Sequence, residues 1–197
     1  MVILILAITL HEAGHAFAAD WCGDNTPRSQ GRLTINPIDH LDPFGTLMMA
    51  FTLIAGIGLG WGRAVIVNPS NFKHPRWDML KVAIAGPLTN VAQAILFTII
   101  IRVCVATHAG MSDFQYNFLG KAIQINVVLV LFNLIPIPPL DGSKVVSALL
   151  PIDTARTYDR FMNGVGQFVI IALVLTHATS YLIGIPAVNI TDMLTGF

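Results

Sequence analysis

Charge is what this sequence has least of. Only 11% of its 197 residues are Asp, Glu, Lys or Arg, against about 25% in a soluble domain. Hydrophobic residues make up 54% and mean hydropathy is +0.69. An ordinary water-soluble domain is excluded, and the composition is that of a polytopic membrane protein. Eleven acids balance eleven Lys and Arg, so the net charge is zero, and the basic footprint of a nucleic-acid-binding protein is missing. Cysteine is nearly absent: Cys22 and Cys104 have no metal-type spacing and read as free thiols. The N-terminus lacks a basic n-region and a small-residue cleavage site, so its apolar run reads as a retained helix and not a signal peptide. There is no internal repeat and no low-complexity tract. Rarest of all is glutamate. Glu12 is the only one among the eleven acids.

That glutamate sits inside His11-Glu12-Ala13-Gly14-His15, within an otherwise apolar first segment. Histidines four residues apart on a helix project from one face, one turn apart, so both imidazoles can reach one ion. Glu12 lies beside the first, placed to take a proton from a metal-bound water. Three ionisable groups in so short a stretch of membrane-grade helix are costly without a task. From a helix start near Met1, His11 lies about 15 Å in and His15 about 21 Å in. In a hydrocarbon core of about 30 Å that is just past the middle, in the half nearer Asp20.

Five hydrophobic segments follow from the apolar runs: 1–19, 44–61, 79–107, 118–133 and 158–183. About four are full transmembrane helices, and 44–61 is either a fifth or a re-entrant hairpin carrying Gly56, Gly58 and Gly60. Arg32 to Ile35 alternates polar and apolar residues before Pro37. The apolar Ala64 to Val67 is a second strand candidate, ended by Asn68-Pro69, and the pair predicts a small membrane-associated β hairpin or sheet. Three prolines between Pro136 and Pro139 stop any helix ahead of Asp141-Gly142, so the chain is irregular near membrane depth, where it must line protein or a cavity. A short amphipathic helix is expected over Ser143 to Leu150. Together these make one membrane-embedded domain over 1–197, with a core at 1–150 and a C-terminal helix and tail at 151–197.

Two histidines leave a zinc site one protein ligand short. Asp141 is the strongest candidate, because it follows the proline break, with His40 and Asp42 as alternatives. His74, His108 and His177 have no polar cluster around them. Asn90, one turn after Pro87, reads either as a helix-packing asparagine or as a site residue.

The chain resembles the site-2 protease family of intramembrane zinc metalloproteases, in its short, PDZ-less prokaryotic branch. The resemblance rests on His11-Glu12-Ala13-Gly14-His15, on Ala85-Gly86-Pro87-Leu88-Thr89-Asn90, and on Asn133-Leu134-Ile135-Pro136 through Asp141-Gly142. Gly31 to Pro43 and Gly60 to Asn71 add to it. It implies one Zn2+ held by His11, His15 and Asp141, with Glu12 as general base. It also implies that Asn133, with Asn90, binds or polarises the scissile peptide of a transmembrane protein substrate in the bilayer. A metal-ion transporter is the alternative that a broken helix and a buried carboxylate would also serve. If 44–61 is re-entrant, nine of the eleven Lys and Arg fall on one side. The positive-inside bias then puts the site in the cytoplasmic half of the cell membrane.

Overall fold

The structure is a computed structural model and describes residues 1–55 and 61–196. The described residues are mostly helical. α1 (Val2–Trp21) is followed by the short α2 (Thr26–Ser29) and α3 (Pro37–His40), and then by α4 (Pro43–Ala55). A 3-10 turn at Pro69–Asn71 leads into α5 (Pro75–Ala106), α6 (Asp113–Asn133), α7 (Asp141–Leu149) and α8 (Ile152–Leu175). A π-helical turn, Ser180–Gly184, joins α9 (Ile185–Thr195).

Local sequence sets these boundaries. Proline occupies the first turn of α2, α3 and α5, where its missing N–H costs nothing. At the start of α6, Ser112 Oγ accepts from Gln115 N while Gln115 Oε1 accepts from Ser112 N, a reciprocal cap. The proline run after α6 breaks the helix as expected, and Tyr158 Oη on α8 donates to Pro136 O at 2.6 Å to brace it.

Among the described residues, α1 and α5 are long and apolar enough to cross a membrane. α8 with Ser180–Thr195 would make a third, bent by 80°. α6 is long enough at 21 residues but too polar by the same measure, with Asp113, Lys121, Gln124 and Asn126 along it. The described α4 covers 13 residues, Pro43–Ala55. Gly56, Gly58 and Gly60 lie outside the described residues.

The expected β hairpin is not there. Among the described residues the one bridge is an isolated antiparallel pair, Leu41 with Gly62. Side chains engage this backbone instead: Val65 N donates to Glu12, and Asn68 N, just past the second stretch, donates to Asp24. Arg32 is buried, and its guanidinium donates to the carbonyls of Asp39 and Arg63. Once those groups are satisfied by side chains, no ladder is needed to satisfy them. Alternation over four residues is too short a pattern to outweigh that.

Helix packing in lipid draws on close contact and interhelical hydrogen bonds, because lipid tails are as apolar as leucine. One cluster joins Ala94 and Ile101 of α5, Ile123 and Val127 of α6 and Ala187 of α9. Between α1 and α5 the contact is tighter. A Cβ on Gly14 would stand 2.6 Å from Thr89 Cγ2 and 3.0 Å from Ala85 O. One on Gly86 would strike the His15 ring and lie 2.8 Å from His11 Cε1. These facing glycines bring α5 against the imidazole face of α1.

Candidate metal centre

His11 and His15 project from one face of α1, as their spacing predicts, with ring centroids 4.6 Å apart. Asp141 reaches them from the first residue of α7, beyond the proline break. Arg76, at the start of α5, donates to Ala148 O and Leu150 O and ties down the other end of α7. His15 Nε2 lies 3.0 Å from both His11 Nε2 and Asp141 Oδ2, and His11 Nε2 lies 3.2 Å from that same oxygen. All three side chains are buried. Lys144 Nζ sits 3.5 Å from the other carboxylate oxygen, Oδ1.

The far side of each imidazole decides what the near side can be. His11 Nδ1 lies 2.7 Å from Asn90 Oδ1, and His15 Nδ1 lies 2.7 Å from Val82 O. Both partners are acceptors, so each Nδ1 carries the proton and each Nε2 presents a lone pair. Two lone pairs and a carboxylate oxygen therefore converge within hydrogen-bond distance. Only a cation or a shared proton between them relieves the repulsion. Three ligands at 2.0–2.1 Å from one tetrahedral ion lie about 3.3 Å apart, close to the spacings found. Nitrogen, nitrogen and oxygen make a donor set suited to a first-row divalent metal. The residues fit a metal ion.

Glu12 is half-buried on the same helix, and its Oε2 accepts the backbone N–H of Val65 at 3.0 Å. The extended segment that supplies this bond is fixed at both ends. Arg63 N donates to His40 O, and Asn68 N to Asp24 Oδ2. A cavity of about 930 Å³ borders the site, lined by Ala64 beside Val65 and by Ser143 and Lys144 just after Asp141.

Other expected residues fall elsewhere. Asn90 is wholly buried behind His11, with both ends of its amide engaged, so it does not face a substrate. Asn133 donates to Leu129 O of its own helix. His40, the alternative ligand, turns its Nε2 to Thr34 O, and Asp42 accepts from Gly45 N at the head of α4. Sequence reasoning missed the Val65 N–H, the Val82 carbonyl and Asn126. Asn126 had a readable signal, being an amide at the start of an apolar run, one heptad before Asn133.

A buried His-His-Asp cluster among apolar helices, with a glutamate alongside, defines a membrane-embedded metal-site protein. Comparison with known proteins narrows the class. Residues 103–177 match peptidase family M50. The protein named "Putative zinc metalloprotease YwhC" from Bacillus subtilis is 39% identical over 187 residues, covering 93% of this chain and 83% of that protein. A Rip2 protein of Mycolicibacterium smegmatis, named likewise a zinc metalloprotease, is 28% identical over 88% of this chain and 65% of its own length. A 66-residue stretch is 42% identical to MJ0611 of Methanocaldococcus jannaschii, covering 34% of this chain and 32% of that protein. No solved structure matches the chain. The chain belongs to peptidase family M50, the site-2 protease family.

Proposed function

We propose that this chain hydrolyses a peptide bond in or near a transmembrane segment of a membrane protein, with His11, His15 and Asp141 holding one zinc ion and Glu12 as general base. The observation that carries the reading is the convergence of the two Nε2 lone pairs and Asp141 Oδ2, fixed from behind by Asn90 and Val82. Family membership favours peptide hydrolysis over ion transport. Zinc, when bound, lowers the pKa of a water and polarises a carbonyl.

The remaining work belongs to the chain. Glu12 accepts the water's proton and later gives it to the leaving amine. The Val65 N–H holds one oxygen of Glu12 and leaves the other for that proton. The cavity between α5, α7 and α8 receives the unwound flank of the substrate, bringing a peptide carbonyl past Ser143 toward Asp141. Asn133 polarises that carbonyl once its amide leaves Leu129 O.

The chain acts as one domain in the cell membrane, with about four spans and residues 44–61 re-entrant. The site then lies in the cytoplasmic half. Two observations support this: the nine-to-two division of Lys and Arg, and the contact of Asp24 with Asn68 and Asn71. The test is zinc content together with cleavage of a single-span substrate by the purified chain. Glu12→Gln keeps one zinc and loses cleavage by about 10² to 10⁴, whereas Asp141→Ala loses both. Near-normal cleavage by Glu12→Gln would remove Glu12 as the base.

A further inference from the structure

We infer that Asn126 and Asn90 form a two-amide relay across three helices that fixes which nitrogen of His11 faces the metal. The inference rests on the metal-site reading above and adds two positioning residues to it. Both asparagines are wholly buried, Asn90 on α5 and Asn126 on α6. Asn126 Nδ2 donates to Ala122 O at 2.9 Å, one turn back on its own helix. Its Oδ1 accepts from Asn90 Nδ2 at 2.9 Å. The second hydrogen of that Asn90 nitrogen goes to Ala7 O on α1 at 3.1 Å, and Asn90 Oδ1 accepts a hydrogen bond from His11 Nδ1–H at 2.7 Å.

The direction of this chain is determined by its ends. Backbone carbonyls accept and never donate. Ala122 O therefore requires the nitrogen of the Asn126 amide, which turns its oxygen to Asn90. Ala7 O and that oxygen together require both hydrogens of the Asn90 nitrogen, which turns its own oxygen to His11. An acceptor at that point forces the proton onto Nδ1 and the lone pair onto Nε2, the atom that faces His15 and Asp141. Flipping either amide would set donor against donor or acceptor against acceptor among wholly buried groups, which is strongly disfavoured. Asn126 thus acts on the metal site without touching it. Partners of this kind behind a metal-bound imidazole are typically worth 10- to 100-fold in metal affinity.

Merely structural asparagines would hold α1, α5 and α6 together without biasing a tautomer. The test uses the full chain in detergent micelles, with two readouts. The first is the 15N shifts of His11 in metal-free protein labelled at histidine, assigned with His11→Gln. The second is zinc affinity, measured by competition with a chelating dye. The wild-type chain should show His11 as a single Nδ1–H tautomer. Asn126→Leu removes the acceptor from Asn90, so the tautomers should mix and zinc binding weaken about tenfold. Asn126→Asp keeps an acceptor toward Asn90 and should recover both readouts. Asn126→Ser, polar and smaller, covers a leucine variant that fails to fold. Its hydroxyl falls short of Asn90, so the same two losses are expected. If the wild-type chain binds zinc and the Leu or Ser variant keeps both its affinity and the Nδ1–H pattern, the relay is wrong and the metalloprotease reading stands. An Asn126→Asp variant that folds but loses as much as Leu or Ser also overturns it. If the wild-type chain binds no zinc, both fall.

Discussion

Glu12 Oε2 accepts the backbone N–H of Val65 at 3.0 Å, so a segment 53 residues away in sequence holds the chain's only glutamate. A carboxylate held by one oxygen keeps the other free and oriented, as a base needs before it meets its proton. Val65→Pro removes the donor and leaves the metal ligands alone. The expected outcome is an unchanged zinc content with kcat lowered about tenfold, within the range that positioning effects reach. Val65→Ala keeps the N–H and should cleave normally. Equal activity in the two variants would show that the bond does nothing for the base.

A second expectation concerns Gly86, which touches the site only by being small. A Cβ there would strike the rings of His15 and His11, and α5 cannot back away without opening its contact at Gly14. Gly86→Ala should weaken zinc binding by at least tenfold while destabilising the fold by about 1–3 kcal/mol, the usual range for overpacking. Zinc affinity by dye competition and a thermal scan, run on one preparation, separate the two effects. Wild-type zinc affinity would mean that the rings have room which the structure does not show.

Much of the metal centre was legible in the sequence, because it depends on spacing. The four-residue period of a helix placed His11 and His15 together, and the proline run marked where Asp141 could leave helical geometry. α7 and the apolar helices α1 and α5 also fell close to their expected places, since long runs of one composition leave few alternatives, whereas α6 is too polar to pass as the span expected over 118–133. The failures came where side chains compete with backbone for the same hydrogen bonds. Residues 32–35 alternate and 64–67 are apolar, both like short strands, yet Glu12 takes the Val65 N–H, while Asp24 and Arg32 take groups flanking them, Asn68 N and the carbonyls of Asp39 and Arg63. Asn90 was visible as a polar residue in an apolar helix. Its role was not, because the direction of its amide depends on Ala7 and Asn126, which no local pattern connects.

Asp24 supplies a pH dependence. It is wholly buried just beyond α1 and accepts from Thr26 N and Oγ1, Asn68 N and Asn71 Nδ2. Burial pushes its carboxyl up, but these donors outweigh burial and hold it below the usual range. A carboxyl lowered in the fold binds its proton more readily when unfolded. Its stabilisation is therefore complete above the unfolded value of about 3.9 and lost as pH falls through the lower folded value. Asp24→Asn should cost about 2 kcal/mol at pH 7, on the scale of hydrogen bonds to a charged group. The deficit should shrink toward pH 3. Unfolding midpoints at the two pH values give the check, and a deficit that stays constant would remove Asp24 as the source.

The last expectation is topological. Asp24 follows α1, and Asn68 and Asn71 precede α5, yet Asp24 Oδ2 accepts from Asn68 N and Oδ1 from Asn71 Nδ2, each at 2.7 Å. Contacts that short put both loops on one side of a bilayer, so the segment between them must return to the side it left. An odd number of crossings cannot do that. The charge division agrees, since a re-entrant 44–61 gathers nine of the eleven Lys and Arg on one side. Function depends on the same point, because the Val65 bond to Glu12 exists only if the segment before α5 lies on the side from which the base is reached. Ser29 and Ser70 are both exposed. Ser29→Cys and Ser70→Cys, each in a Cys22→Ser, Cys104→Ser background, should therefore react alike with a membrane-impermeant thiol reagent. Both should be protected in sealed cells and modified after permeabilisation. Labelling of one from outside and not the other would make 44–61 a true span, and the Asp24 contacts and the hold on Glu12 could not then coexist in a bilayer.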